Sequence, residues 1–216
     1  MADTILETGP KGSRALWLEA AHALLLESGV DAVRILPLGR KLGLSRTSFY
    51  WFFADRGALL AALLEQWRDT NTGGLVRQTA AYAETIAEAV LNLFDCWLDA
   101  TLFDARFEVA VRGWGQHVPE VGAALAEADA ARLAALTAMF VRFGFDATAA
   151  DVRARTIYLT QIGYISMDTS ESLTDRLQRI PHYVEIFTGT LARPAELARF
   201  RARHADAGTL PAVRAA

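Results

Sequence analysis

Cysteine, histidine and long apolar runs are scarce in this chain, and each shortage removes a class of function. Cys96 is the single cysteine, so no internal disulfide framework and no cysteine-based metal site can form. Its simplest reading is a small apolar residue in a helix rather than a redox sensor. The four histidines, at 22, 117, 182 and 204, stand near no nucleophile motif and show no metal-ligand spacing such as HExxH. A hydrolytic triad needs a nucleophile, a histidine and an orienting acid brought together; no such set is visible, and no enzyme, metal or cofactor is expected. Asp95, Asp99 and Asp104 fit a solvated or ion-paired helix face better than acid–base or metal chemistry. No apolar stretch approaches the roughly 18–20 residues that cross a bilayer. The N-terminus carries Asp3 and Glu7 and no apolar signal core, so the expectation is a cytoplasmic protein with no membrane partner.

The 216 residues are enough for one or two small domains with a real core. Ala, Leu and Arg dominate and β-branched residues are sparse, which predicts an all-α fold. The formal net charge of −3 argues against a general nucleic-acid coat. Residues 34–56, RILPLGRKLGLSRTSFYWFFADR, run the other way. Arg34, Arg40, Lys41, Arg46 and Arg56 against Asp55 leave this segment at +4.

The same segment reads as two short helices around a glycine-containing turn, the sequence form of a DNA-reading helix-turn-helix. Pro37 can open the first helix, with Leu38 and Leu42 four apart on one face. Gly43, Leu44 and Ser45 make the turn, and the Ser45 hydroxyl can cap a second helix starting at Arg46. Phe49 and Phe53 then face the core, leaving Arg46, Thr47, Tyr50 and Trp51 outward. Arg46 is the candidate base reader, because a guanidinium can hold both acceptors of guanine's major-groove edge; a phosphate contact is its alternative. Thr47 suits a thymine methyl or a phosphate, and Trp51 a thymine methyl or a sugar. Arg34, Lys41, Ser45, Tyr50 and Arg56 suit phosphates, which set register without reading sequence, with core packing the competing role for Tyr50.

These residues resemble the start of a TetR-type transcriptional regulator, over about Ser13 to Leu63. A first helix of ILxAAxxLLxExG flavour, here ALWLEAAHALLLESG, is followed by the helix-turn-helix, the aromatic cluster Tyr50-Trp51-Phe52-Phe53 and an acidic–basic pair before ALL. The chain departs from the family pattern in several places: Leu42-Gly43-Leu44-Ser45 keeps only the glycine and serine of Ala-Gly-Val-Ser in the turn, Gly39 replaces an alanine, Phe52 replaces a histidine, and Asp55-Arg56-Gly57 keeps only the basic residue of Ser-Lys-Glu. Gly39 inside a helix costs roughly 0.5–1 kcal/mol and predicts a short or loosely held helix there. The resemblance implies an N-terminal three-helix helix-turn-helix DNA-binding domain and a C-terminal helical ligand-binding and dimerisation domain. The corresponding boundaries are a flexible arm over 1–12, the DNA-binding domain over 13–58, the effector-binding and dimerisation domain over 59–192, and a tail over 193–216.

Helical stretches are expected at 13–28, with Leu16, Ala20, Ala23 and Leu24 as the buried stripe, and at 56–70, carrying Leu59, Leu63 and Trp67. Asn71-Thr72-Gly73-Gly74 is the best break in the chain, separating the head from the rest or marking a loop soon after the boundary. Further helices are expected at 83–101, 104–116, 119–142, 147–169 and 173–191, the last interrupted at Pro181. By resemblance, the middle helices enclose a pocket for a small effector. Trp97, Phe107, Arg112 and Gln161 are assigned to it by position, and its aromatic content favours a hydrophobic or planar compound. Ile157, Gln161 and Tyr164 with Tyr183, Ile186 and Phe187 are assigned to a four-helix dimer seam. The implied function is a homodimeric repressor on a near-palindromic double-stranded operator, released by the effector. The alternative is a helical dimeric ligand- or protein-binding module that has lost specific DNA binding.

Overall fold

Local capping chemistry sets most of the helix ends. The computed structural model describes residues 12–167, 169 and 171–204, which contain helices and no strand. Most of the expected arm (1–12) and the end of the expected tail (205–216) lie outside the described residues. Helix α1 (Arg14–Ser28) begins where the Ser13 hydroxyl accepts from Leu16 N at 3.1 Å, and ends at Gly29, whose φ of 75° a glycine adopts without strain. A 3-10 turn (Val30–Ala32) leads into α2 (Ile35–Leu42), then α3 (Arg46–Tyr50) and α4 (Arg56–Trp67). The Asp55 carboxylate accepts from Ala58 N at 2.8 Å and so caps α4. Helix α2 starts two residues before Pro37. The proline fits there because N–H groups in a first turn have no intrahelical partner.

The chain divides into two units, one ending at Gln66 and the next beginning at Trp67. The division falls inside the segment given by sequence to the second domain. In the first unit Trp17, Leu25, Leu38, Phe49, Leu59 and Leu63 are fully or almost fully buried. Phe49 is the hub, edge-on to Trp17 at 5.2 Å between ring centroids and stacked on Phe53 at 5.5 Å. The buried stripe of α1 is Trp17, Ala20, Ala21 and Leu25 rather than Leu16, Ala20, Ala23 and Leu24; Leu16 is exposed. A helix apolar nearly all round does not fix its own inward face, and Trp17, the largest side chain on it, takes the centre.

The second unit corrects the expected break at 71–74. A π-helical turn (Arg68–Thr72) runs directly into α5 (Gly73–Ala80). Asn71 is fully buried, and a Cβ at Gly74 would lie 1.9 Å from the Leu102 carbonyl oxygen. This glycine admits a crossing loop. It does not break the helix. Then follow α6 (Ile86–Leu98), α7 (Ala105–Gly115), α8 (Pro119–Arg142), α9 (Ala147–Ser166), α10 (Leu173–Thr188) and α11 (Pro194–His204). Helix α6 is buried along almost all its length, with α5, α10 and α11 packed on it, while α8 packs on α5, α7 and α9. Pro119 occupies the first turn of α8, and Asp146 caps α9 by accepting from Thr148 N and Ala149 N, each at 3.0 Å. Helix α10 continues through Pro181 without a fresh start. Cys96 is fully buried and its thiol is pushed up to about 12, chiefly by burial, which leaves it inert as a redox group. Among the described residues no helix is long and apolar enough to cross a membrane, and no cluster of side chains is suited to a metal ion.

Candidate functional site

The turn between α2 and α3 is built around glycine at two positions. Gly43 has φ 64° and donates to Arg40 O at 3.3 Å, and Leu44 N donates to Gly39 O at 2.9 Å, the pair of bonds that closes a helix C-terminus. Gly39 is buried, and a Cβ there would stand 2.9 Å from the Leu44 carbonyl oxygen. The departure at Gly39 therefore makes room for the turn instead of loosening α2. Ser45 caps α3 by accepting from Ser48 N at 3.2 Å, and the short helix buries Ser48 and Phe49.

The other face of α3 presents Arg46, Thr47, Tyr50 and Trp51 to solvent, Trp51 with 67% of its surface exposed. Arg46 lies against Tyr50: Nη2 donates to the phenol oxygen at 3.0 Å, and the guanidinium sits 5.6 Å from the ring centroid. The remaining cations divide by what holds them. Lys41 Nζ is 3.2 Å from the Glu27 carboxylate, and Arg34 Nε donates to Asp31 O at 2.8 Å. Arg56 Nε donates to Val33 O at 2.6 Å and its Nη2 to Val30 O at 2.7 Å, so these two donors clamp the connection between α1 and α2. Arg40, which the motif counted only as charge, is exposed, and among the described residues its side chain has no hydrogen-bond or ion-pair partner.

In the second unit the four expected pocket residues separate. Trp97 (α6) and Gln161 (α9) line a cavity closed by Phe94 and Ile157 and, from α10, by Tyr183 and Phe187. Arg176, Arg179 and Glu171 complete its polar part. Its empty volume is about 380 Å³, of which about 30 Å³ is open to the centre of a water molecule, so the space is narrow. Phe107 and Arg112 are not in it. Phe107 is buried in α7, and Arg112 belongs to a charged network that the sequence did not reveal.

Glu108 and Arg132 form the centre of that network, both fully buried. Arg132 donates twice, to Glu108 Oε1 at 2.8 Å and Oε2 at 3.1 Å. Glu108 also accepts from Trp67 Nε1 at 2.8 Å, Asn71 Nδ2 at 2.9 Å and Arg112 Nε at 3.0 Å. Arg132 and Arg112 both donate to the Tyr158 hydroxyl, which donates in turn to Asp129 Oδ1 at 2.6 Å. Burial alone would raise the Glu108 carboxyl; Arg132, Asn71 and Arg112 outweigh it and hold the group below the usual range. The Glu108–Arg112 spacing of four on α7 and the Asp129–Arg132 spacing of three on α8 were the sequence signals the network offered. The partners from Trp67, Asn71, Arg132 and Tyr158 are distant in sequence.

A glycine-capped turn carrying a short helix with polar and aromatic side chains outward defines a helix-turn-helix DNA-binding transcriptional regulator. Residues 18–63 match the family described as bacterial regulatory proteins, tetR family. Such proteins are transcription factors and not enzymes. No curated protein matches the sequence. Similar solved structures include a transcriptional regulator from Rhodococcus sp. Rha1, at TM-score 0.59 and 15% identity over 89% of this chain and 97% of that one. Another is a protein assigned to the TetR-family regulators from Mesorhizobium loti MAFF303099, at TM-score 0.57 and 16% identity over 88% and 95%. At such identities the likeness is one of fold.

Proposed function

We propose that the protein is a homodimeric repressor that binds a near-palindromic operator and is released when a small effector enters the cavity of the second unit. The observation that carries this reading is the division of α3 into a buried face, Phe49, and an exposed face, Arg46, Thr47, Tyr50 and Trp51. Arg46 and Thr47 read bases; Ser45, Tyr50, Lys41, Arg34 and Arg40 position the helix on phosphates. The effector acts on the operator through differential affinity for two forms of the protein. A contiguous route for it exists within the second unit. Helix α9 lines the cavity with Ile157 and Gln161 and carries Tyr158, which holds Arg132, which holds Glu108, to which Trp67 at the end of α4 is bonded.

Fluorescence anisotropy on duplexes flanking the protein's own gene tests the DNA-reading part. Affinity falls steeply with salt. Arg46→Ala costs about 1–3 kcal/mol on the operator and flattens sequence preference, whereas Lys41→Ala, removing a cation already paired with Glu27, weakens all sequences slightly. Equal losses on every sequence for both variants would remove Arg46 from base readout, and no binding at low salt would favour a module that has lost its DNA function.

A further inference from the structure

Arg176 is the anomaly of the cavity. Its Nη1 donates to Trp97 O at 3.3 Å and its guanidinium lies 6.0 Å from the Tyr164 ring centroid, yet among the described residues no carboxylate comes within ion-pair distance of it. The one acid on the wall, Glu171, is paired with Arg179. Burial pulls the Arg176 guanidinium below its ordinary value, but an arginine stays charged in proteins. A half-buried cation without a counter-ion costs stability that the fold could avoid with an apolar residue. Trp97 on the same wall has a buried indole N–H with no acceptor. Among the described residues the cavity thus holds unused donors and no unused carboxylate, beside rings that favour a flat body: Phe94 edge-on to Trp97 at 5.0 Å, and Tyr183 stacked on Phe187 at 5.7 Å.

We infer that the cavity takes a small organic acid, a carboxylate on a flat apolar body, with the Arg176 guanidinium and the Trp97 indole N–H as receptors for the anion. The inference rests on the reading of this cavity as the effector site and adds the charge of the effector. A guanidinium fork matches a carboxylate in two parallel hydrogen bonds, and the apolar wall would receive the remainder of the molecule.

Titration calorimetry with benzoate and cinnamate, their amides, and indole tests it on the full-length protein. The acids bind at least tenfold more tightly than the amides. Arg176→Met abolishes that ratio and leaves amide binding unchanged; Arg176→Lys retains part of it. Because the methionine variant loses an uncompensated cation, its melting temperature equals or exceeds that of the parent, which shows that loss of acid binding is not loss of the fold. Amides or indole binding as well as the acids would overturn the anionic class while leaving the effector cavity in place. If none of the five compounds binds, both the class and the cavity's role as an aromatic effector site fall.

Discussion

A single carboxylate, Glu108, accepts five hydrogen bonds, from Trp67, Asn71, Arg112 and twice from Arg132. Ion pairs this deeply buried add little net stability over an apolar replacement, but breaking one leaves a stranded charge and costs about 3–5 kcal/mol. Glu108→Gln should therefore destabilise by about that amount at neutral pH, because Arg132 keeps its charge and loses its nearer, fully buried counter-ion, with Asp129 left at 3.6 Å. Urea titration across pH adds a sign. The folded carboxyl is more acidic than the unfolded one, so its contribution is complete at neutral pH. It starts to fall as the pH approaches the ordinary value of 4.5, and is lost as the pH passes through the lower folded value. The glutamine variant lacks that limb. Parallel pH profiles for the two proteins would show that Glu108 does not ionise in the folded state as the network requires.

At the scale of the element, what the sequence made legible were ends with local causes. Ser13, Ser45, Asp146 and Pro119 mark helix starts, and Gly29 and Gly43 mark stops, through chemistry confined to a few neighbouring residues. The stretch Asn71–Gly74 misled because its polar and glycine composition signals a break, while its function is tertiary. Asn71 Nδ2 donates to Asp104 O at 3.0 Å, Asp104 N donates to Asn71 Oδ1 at 2.9 Å, and Gly74 admits the Leu102 backbone. A pair of substitutions separates these meanings of glycine. Gly74→Ala drives a Cβ into a backbone carbonyl and should cost about 1–3 kcal/mol, as overpacking does. Gly113→Ala, in an exposed position of α7 with nothing within 4 Å of its Cβ, should stabilise by about 0.5–1 kcal/mol. Thermal denaturation of both variants checks the opposite signs; equal shifts would mean that the close approach at Leu102 does not exist in solution.

At the scale of the whole molecule, spacing assigned Ile157, Gln161, Tyr164, Tyr183, Ile186 and Phe187 to a dimer seam, and all of them but Ile186 line the cavity; periodicity tells which residues share a face, not which of two apolar faces turns outward. Of that set only Ile186 is strongly exposed, at 68%. Helix α9 shows its outer side as Val152, Thr156 and Leu159, spaced i, i+4, i+7, with Leu159 62% exposed. If two copies pair through these faces of α9 and α10, two recognition helices reach one operator together, and linking two binding events gains about 10²–10⁴ in affinity without any new base contact. The double variant Leu159→Glu/Ile186→Glu places like charges where the copies would meet. It should sediment as a single chain at concentrations where the parent sediments as a pair, and should bind the operator at least a hundredfold more weakly, with an unchanged far-ultraviolet circular dichroism spectrum. A parent that sediments as one chain, or a double variant that stays paired, would remove this face from the interface.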